Sequence, residues 1–366
     1  MIKFLDLKSQ YLSMLEEINS AIYETINNSS YIGGENVKKF EKEFAKFVQA
    51  SHCIGVANGT DAIEIALTSL ELPVNSEVIV PANSFISTSE AVTTSGYRVV
   101  FCDICPKSCN IDLDDLKEKI TSKTKAVIAV HLYGLPAPLE ELLKICNEYD
   151  LRLIEDCAQA HGATINKRHV GTFGDVGAFS FYPGKNLGAY GDAGGIITSD
   201  NGIAERCRRI ANHGRLDKYD HLIEGRNSRL DAIQAAILSA KLNHLNDWTI
   251  QRRSIASTYR DLLPNNILLQ SVPQGYAHAY HLFVVKTSNR DGLRDFLEKN
   301  SVQTGIHYPV ALPDLPAYSY MNAKGNFKNA SENASSILSL PMGEHLSLDE
   351  AKKVSELVSE YLVHNT

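Results

Sequence analysis

The chain has 366 residues, 44% of them hydrophobic and 22% charged, which excludes a disordered or collagen-like protein. It carries 36 Lys and Arg against 43 Asp and Glu, and the net charge of −7 argues against a nucleic-acid partner. No apolar stretch reaches the roughly 18 to 20 residues of a bilayer span, and the N-terminus is too charged for a signal peptide, so we expect a cytoplasmic protein with no membrane partner.

Residues 50–200 alternate short apolar runs with amphipathic stretches of helical length. The runs are rich in β-branched residues and nearly continuous in apolar character, as in strands that are covered on both faces. This alternation predicts an α/β fold with a large, doubly wound, mostly parallel sheet. The predicted strands are 77–80, 97–101, 126–130 and 151–154, and the predicted helices are 62–70, 84–95 and 138–149.

The pattern changes after residue 200. Helical periodicity runs from 231 to about 262, where Pro264 stops it. A strand at 280–285, a helix at 290–299 and a final helix from the cap Ser347 to 362 follow. We therefore expect a large α/β domain over residues 1–249 and a smaller C-terminal α+β domain over 250–366.

Ligands of open α/β sheets bind beyond the carboxyl ends of the strands, so polar residues that follow apolar runs are the candidates. Gly59 and Thr60 precede a helix and can present N–H groups and a hydroxyl to a phosphate, although such a turn is also an ordinary helix cap. Phe85 follows another strand, where its ring either stacks on a ligand or packs in the core. Asp156 and Gln159 follow the strand at 151–154, where Asp156 can also be a helix cap.

Lys185 lies in a segment rich in glycines and aromatic residues, over 177–195. There the backbone can approach a planar ligand and the amine is shielded from water, which favours the neutral, nucleophilic form of lysine. The alternative is a surface lysine on a glycine loop. Together with Asp156 upstream, the arrangement fits pyridoxal 5′-phosphate (PLP), which needs a lysine for its Schiff base and a carboxylate beside its ring nitrogen.

Three cysteines, Cys102, Cys105 and Cys109, lie within eight residues. They could bind zinc or an iron–sulfur cluster, but a fourth ligand is missing nearby and the segment also reads as a strand end followed by a turn. We therefore expect incidental thiols and no metal. The odd total of seven cysteines is typical of reduced thiols in a cytosolic enzyme.

The chain resembles the DegT/DnrJ/StrS family of PLP-dependent nucleotide-sugar aminotransferases, which have the fold type I of aspartate aminotransferase. The matching segments run along nearly the whole chain: 4–11, 31–34, 58–61, 155–159, 180–194, 225–236 and 306–309. A related group of PLP sugar dehydratases has His in place of the lysine, whereas Lys185 is intact here, which favours amino transfer.

The resemblance implies roles for individual residues. Lys185 would form the Schiff base, Asp156 would hold the ring nitrogen and Gln159 would lie near the 3-oxygen of PLP. The remaining cofactor contacts implied by the family are Phe85 on the ring, Gly59, Thr60 and Ser180 at the phosphate, and Asn227 at the phosphate of a neighbouring subunit. Asn227 thus implies a homodimer with shared sites, and Tyr182, His307 and Tyr308 are candidate substrate contacts.

The segment 180–194 is similar in particular to enzymes that aminate C3 of a dTDP-linked 3-keto-6-deoxyhexose, with glutamate as the expected donor. The chain departs from the family at 310–316, which lacks a common His and leaves the sugar epimer open. Alternative substrates are a 4-keto nucleotide sugar or a keto-cyclitol. An alternative of another class is a non-catalytic regulator with the same fold.

Overall fold

A computed structural model describes residues 1–365. The α-helices are α1 Leu7–Ser13, α2 Leu15–Asn27, α3 Gly34–Val48, α4 Gly59–Ser69, α5 Ser87–Thr94, α6 Leu113–Lys119, α7 Leu139–Tyr149, α8 Asn201–Ala211, α9 Ala232–Leu242, α10 Leu245–Leu262, α11 Arg290–Lys299, α12 Lys328–Ser336 and α13 Leu348–Asn365. The strands are β1 His52–Val56, β2 Glu77–Pro81, β3 Arg98–Cys102, β4 Thr124–Val130, β5 Arg152–Asp156, β6 Thr164–Ile165, β7 Arg168–His169, β8 Val176–Ser180, β9 Gly194–Thr198, β10 Leu268–Leu269, β11 Tyr276–Ala277, β12 Phe283–Lys286 and β13 Ile337–Leu340.

A seven-stranded sheet in the order β1-β9-β8-β5-β4-β2-β3 organises most of the chain. The pairs from β8 to β3 are parallel, whereas β9 runs antiparallel to both β8 and β1. The predicted, mostly parallel sheet is confirmed, and its four predicted strands are β2, β3, β4 and β5. Helices cover both faces, so the inner strands are buried on both sides as their continuous apolar character requires.

The two faces of the sheet have separate cores. On one face the aromatic side chains of Phe40 and Phe44 from α3 pack edge-on against Phe181, which follows β8. On the other face α4, whose inward residues include Ile65 and Leu67, packs between the sheet and α5 and α8. Both cores hold the carboxyl ends of β4, β5 and β8 in fixed positions.

A second sheet, β10-β12-β13, is antiparallel and packs against α10, α11 and α13. Its core contains Ile255, Leu338 and Val358, and also Ile2, which bridges to Val302 near the N-terminus. The predicted boundary at 249/250 falls inside α10 and stays a prediction.

No helix in residues 1–365 is long and apolar enough to cross a bilayer.

Two predicted elements differ in the structure. The continuous helix predicted over 231–262 was wrong: Asn243 and His244 separate α9 from α10, because the His244 N–H bonds to the carbonyl of Lys241, one residue closer than in an α-helix. The strand predicted at 280–285 begins only at Phe283. The Tyr280 and His281 carbonyls accept from Arg252 instead of pairing in the sheet.

The C-terminal helix begins as predicted. The Ser347 hydroxyl accepts from the Glu350 N–H, and the Glu350 carboxylate accepts from the Ser347 N–H, which together form a capping box. The helix continues to Asn365, three residues beyond the predicted end.

Candidate active site

A cavity of about 840 Å³ opens at the carboxyl ends of β4, β5 and β8. This is where an open α/β sheet is expected to bind its ligand. The cavity brings together ten of the eleven predicted site residues: Gly59, Thr60, Phe85, Asp156, Gln159, Ser180, Tyr182, Lys185, His307 and Tyr308. Their grouping follows from the fold, and their individual roles remain predictions.

Asp156 ends β5 and forms part of the cavity floor. Its side chain is 5% exposed and accepts hydrogen bonds from the Thr88 hydroxyl (2.7 Å) and the Ala158 N–H (3.1 Å). Thr88 lies on α5, and its hydroxyl oxygen accepts a hydrogen bond from the Ser84 hydroxyl (2.7 Å). These two donors fix the orientation of the carboxylate at the cavity.

Gln159 lies three residues beyond Asp156 and has a fixed amide orientation. Its carbonyl oxygen accepts from the Tyr133 N–H (2.7 Å), and its amide nitrogen donates to the Tyr308 hydroxyl (3.1 Å). Burial raises the pKa of Tyr308, with the charge of Asp156 adding to the effect, so Tyr308 stays a neutral phenol at physiological pH.

The N-terminus of α4 meets the end of β8, next to the strand that carries Asp156. Asn58 caps the helix by accepting from the Asp61 N–H (2.8 Å), which leaves the first-turn N–H groups of Gly59 and Thr60 unused by the cap. A Cβ on Gly59 would lie only 2.6 Å from the Ser180 Cβ. Glycine is therefore required for this close approach, and the small polar cradle can receive an anion.

Lys185 lies on the connection between β8 and β9, at the floor of the cavity. Burial lowers the pKa of its amine to about 8, although the nearby charge of Asp156 acts in the opposite direction. Two imidazoles of the cavity wall are kept neutral in the same surroundings: burial and then the charge of Lys185 lower the pKa of His307 to about 4, and that of His281 falls well below its ordinary value. The site thus combines an amine of lowered pKa with two neutral imidazoles and the carboxylate of Asp156.

Aromatic side chains form the mouth and side wall of the cavity. Phe85 is 53% and Tyr182 58% exposed, and both rings line the cavity, where a ligand can reach them. The Phe85 ring lies 5.6 Å from that of Tyr308. The Tyr308 ring contacts that of His307 (5.7 Å), on which Phe4 stacks at 5.6 Å. The Ser339 hydroxyl lies 2.9 Å from the His307 ring nitrogen.

Asn227 is the predicted residue that the fold does not bring to the cavity of its own chain. It is exposed on the segment between α8 and α9 and bridges to Asn212. This position is compatible with a contact to another subunit.

Cys102, Cys105 and Cys109, the three cysteines of the alternative metal site, do not form a candidate metal group within residues 1–365. Cys102 donates to the carbonyl of Asp112, and Cys109 donates to Asn333 far along the chain. Burial raises the pKa of both thiols. In the described part of the chain, three other potential metal ligands do lie together: His131, Glu155 and Cys157.

Hydrogen bonds within the protein already occupy that group. The Glu155 carboxylate accepts from the backbone N–H groups of Gly171, Phe173 and Gly174 as well as from His131. The other ring nitrogen of His131 accepts from the Ala137 N–H. This network anchors the residues after β5 and has no open coordination position.

The model of the DegT/DnrJ/EryC1/StrS aminotransferase family matches residues 13–359. The chain belongs to this family. It is an aminotransferase, and the fold and family expected from the sequence are confirmed.

The chain is 41% identical to the dTDP-3-amino-3,6-dideoxy-alpha-D-galactopyranose transaminase of Aneurinibacillus thermoaerophilus, over 99% of both chains. It is 40% identical, over 99% of both chains, to a protein of Geobacillus stearothermophilus named pleiotropic regulatory protein. The crystal structure of Streptomyces venezuelae DesV with a ketimine intermediate superposes with a TM-score of 0.96, at 38% identity and 98% coverage of each chain. Other relatives that match 90% or more of this chain are named for UDP- and GDP-linked sugars.

The DegT/DnrJ/EryC1/StrS aminotransferases depend on PLP, and the cavity fits that cofactor. Gly59 leaves room for a phosphate at the α4 N-terminus beside Ser180, where a Cβ would close the cradle. A buried carboxylate at Asp156 and an exposed ring at Phe85 suit the nitrogen and the face of a pyridine ring. Lys185 supplies an amine of lowered pKa on the same floor.

The lowered pKa of Lys185 predicts how the linkage of PLP to the apoprotein depends on pH. Only the neutral amine attacks an aldehyde, so the rate should rise about tenfold per pH unit below about pH 8 and level off above it. Stopped-flow absorbance of the bound cofactor, with the labelled peptide mapped after borohydride reduction, measures this rate. A rise that continues toward pH 10, as for an exposed lysine, would contradict the predicted environment.

Several cavity residues escaped the sequence analysis. Phe4 and Leu5 come from the N-terminus, and His281 and Arg252 come from the C-terminal third of the chain. Phe4 and Leu5 lie in the matching segment 4–11 but had no predicted role, and no motif marks His281 or Arg252, because these residues reach the cavity only through tertiary packing. Thr88 could have been found as a hydroxyl one helical turn beyond Ser84, on the helix predicted after the strand at 77–80.

Proposed function

We propose that this aminotransferase moves an amino group from L-glutamate to C3 of a dTDP-linked 3-keto-6-deoxyhexose. The products are a dTDP-3-amino-3,6-dideoxyhexose and 2-oxoglutarate, so one carbonyl and one amine exchange places between the two substrates. The observation that carries the proposal is that Lys185 and Asp156 line the same cavity. The dTDP and C3 assignment is supported by the similarity of 180–194 to 3-aminotransferases and by the names of two relatives.

The residues of the cavity have distinct roles in this reaction. PLP, when bound, supplies the aldehyde that carries the amino group and a ring that delocalises electrons. Lys185, once freed from the cofactor, takes the proton from the α-carbon of the donor and returns it later as a general acid. Asp156 keeps the ring nitrogen protonated, while Gln159 donates to the 3-oxygen.

The substrate side of the cavity is formed by Tyr182, His307 and Tyr308. His307 is neutral at physiological pH because burial lowers its pKa to about 4, so it can accept or donate a hydrogen bond without a net charge. The Phe4 ring stacks on the His307 ring. These groups suit a sugar with several hydroxyls, which needs neutral donors and acceptors more than ion pairs.

Product analysis tests the substrate assignment. The purified protein is incubated with PLP, glutamate and, in parallel, dTDP-3-keto, dTDP-4-keto and UDP-linked keto sugars, and the products are identified by mass and NMR. We expect a new C3–N bond on the dTDP-3-keto sugar, with equimolar 2-oxoglutarate. Amination only at C4, or only of the UDP-linked sugar, would transfer the assignment to the alternative substrate.

The alternative of a non-catalytic regulator is favoured by the name of one relative, the pleiotropic regulatory protein. In this chain Lys185, Asp156 and Gln159 line one cavity, and a regulator has no need for this combination. Catalysis is therefore the better account.

The active form is a homodimer with shared sites. Asn227 lies outside its own cavity, and the same connection from α8 to α9 exposes four large apolar side chains, at Leu216, Tyr219, Leu222 and Ile223. A second copy of the chain would cover this surface and place Asn227 at the phosphate of the partner's cofactor. A cytoplasmic location is supported by the seven cysteines, all of which are free thiols.

A further inference from the structure

A second buried lysine, Lys241 on α9, lies next to the segment that carries Lys185. Its side chain is completely buried. The ammonium donates to the Gly188 carbonyl (2.7 Å) and to the Gln10 side-chain oxygen (2.8 Å), and it lies 4.2 Å from the centre of the Tyr190 ring. Within residues 1–365 no carboxylate lies at salt-bridge distance from it.

Polar contacts continue from Lys241 through the interior. Gln10 donates to the Glu344 carboxylate (2.5 Å), which also accepts from Arg252 (2.9 Å). Arg252 in turn donates to the carbonyls of Tyr280 (3.1 Å) and His281 (3.4 Å). The contacts thus join α1, α10 and the segments before β12 and after β13.

The polar contacts lead from His281 back to Asn186, the residue that follows Lys185. The His281 ring contacts the Asn186 side-chain oxygen (3.1 Å), and the Asn186 amide donates to the Ala279 carbonyl (3.0 Å). Since Asn186 follows Lys185 directly and Gly188 lies two residues beyond Asn186, the short backbone between them closes the contacts into one ring. This buried polar ring consists of Lys241, Gln10, Glu344, Arg252, His281 and Asn186.

The stability of the fold does not explain a buried ammonium at this position. Removing a charge from water is costly, and an apolar side chain of similar size is often neutral or stabilising in such places. Burial lowers the pKa of Lys241 to about 8, against the opposite influence of Glu344. What an apolar side chain would lose is the directional bond to the Gly188 carbonyl.

We propose that Lys241 is a positioning residue for Lys185: through the Gly188 carbonyl and the buried polar ring it fixes the 186–188 backbone, and with it the direction of the reactive amine. A second contact from α9 acts on the same segment, since Gln234 accepts from the Tyr190 N–H (2.8 Å). The inference rests on the proposed role of Lys185.

The variant Lys241→Met tests it, because methionine keeps an unbranched side chain of similar length and removes the donors. We expect a folded holoenzyme whose kcat is lowered about 10- to 100-fold, with KM for the sugar changed less than about threefold, since misplacement of a reacting group affects chemistry more than binding. Hydrogen exchange should accelerate in peptides covering 181–191 and not in those covering α10. The visible absorbance of the Lys185-linked cofactor should shift as well.

Ser239→Ala is the matched control. Ser239 lies on the same helix and is buried, and its hydroxyl has no hydrogen-bond partner among residues 1–365, so its loss should leave kcat, exchange and absorbance unchanged. If Lys241→Met does not fold, Gln10→Leu carries the test, because it opens the ring at a contact that does not touch the lysine segment. A smaller change in the same direction is expected.

Wild-type kcat, exchange and absorbance in Lys241→Met, or in Gln10→Leu as its substitute, would overturn the inference. A fall in activity that only follows the folded fraction, with normal exchange at 181–191, would overturn it too. Borohydride trapping in the wild-type protein separates the two proposals. Label on another lysine refutes the role of Lys185 and the inference together, whereas label on Lys185 with an unaffected Lys241→Met refutes only the inference.

Discussion

Lys185→Ala is expected to lower turnover about 10³-fold or more and to abolish the visible absorbance of the lysine-linked cofactor. The amine is the proposed attachment point of PLP and the proposed carrier of the proton, so a single truncation removes both functions. Steady-state amination of the keto sugar and an absorbance spectrum after addition of PLP measure the two effects.

Lys144→Ala is the matched control, since Lys144 is exposed on α7 and lies outside the cavity. It should behave as the wild type. If Lys185→Ala kept turnover and spectrum, the assignment of the reactive amine would be wrong.

The inactive Lys185→Ala chain also tests the shared site. Mixed dimers with an Asn227→Ala chain contain one site in which Lys185 of one protomer and Asn227 of the other are both intact. Refolding the two chains together should therefore give more activity than either homodimer has, because the Asn227→Ala homodimer lacks the phosphate contact at both of its sites. Absence of recovery in dimers verified by mass would refute the contact across the interface.

Asp156→Asn is expected to keep the bound cofactor but to slow proton removal from glutamate about 10²- to 10³-fold. The amide has nearly the same shape but no charge to stabilise the protonated ring nitrogen, and loss of a preorganised electrostatic contact typically has an effect of this size. Single-turnover absorbance after mixing with glutamate isolates this step.

Thr88→Val provides a graded comparison with Asp156→Asn. It removes one hydrogen bond to the carboxylate (2.7 Å) and leaves the charge, so a loss of about tenfold is expected. Equal rates in the wild type and Asp156→Asn would exclude the proposed role of the carboxylate.

The large sheet could be predicted because its strands are covered on both faces. Runs such as 77–80 and 126–130 are apolar at nearly every position, and polar residues follow them where the chain leaves the core. The same rule led to Asp156 and Gln159. The two strands that flank Lys185, β8 and β9, were not predicted, because their sequences are rich in glycine and lack a clear period.

The contacts that build the side wall of the cavity and the buried polar ring could not be predicted, although His307 and Tyr308 themselves were candidates. Phe4 and His307, or Gln10 and Lys241, are each separated by more than 200 residues and meet only after both sheets have formed. The break between α9 and α10 was equally hidden. At Asn243 and His244 a single hydrogen bond spans three residues instead of four, whereas the helical spacing of apolar residues in the sequence continues across the break.

The cavity has a rigid half and a replaceable half. Asp156 and Ser180 end two paired inner strands, whereas Phe4, Tyr182, His307 and Tyr308 belong to connections and to the N-terminal segment. Loops tolerate substitution better than buried strands. Directed evolution toward a new nucleotide sugar should therefore randomise this second group alone. The tolerance of these loops to substitution would also explain why relatives with this fold are named for sugars linked to different nucleotides.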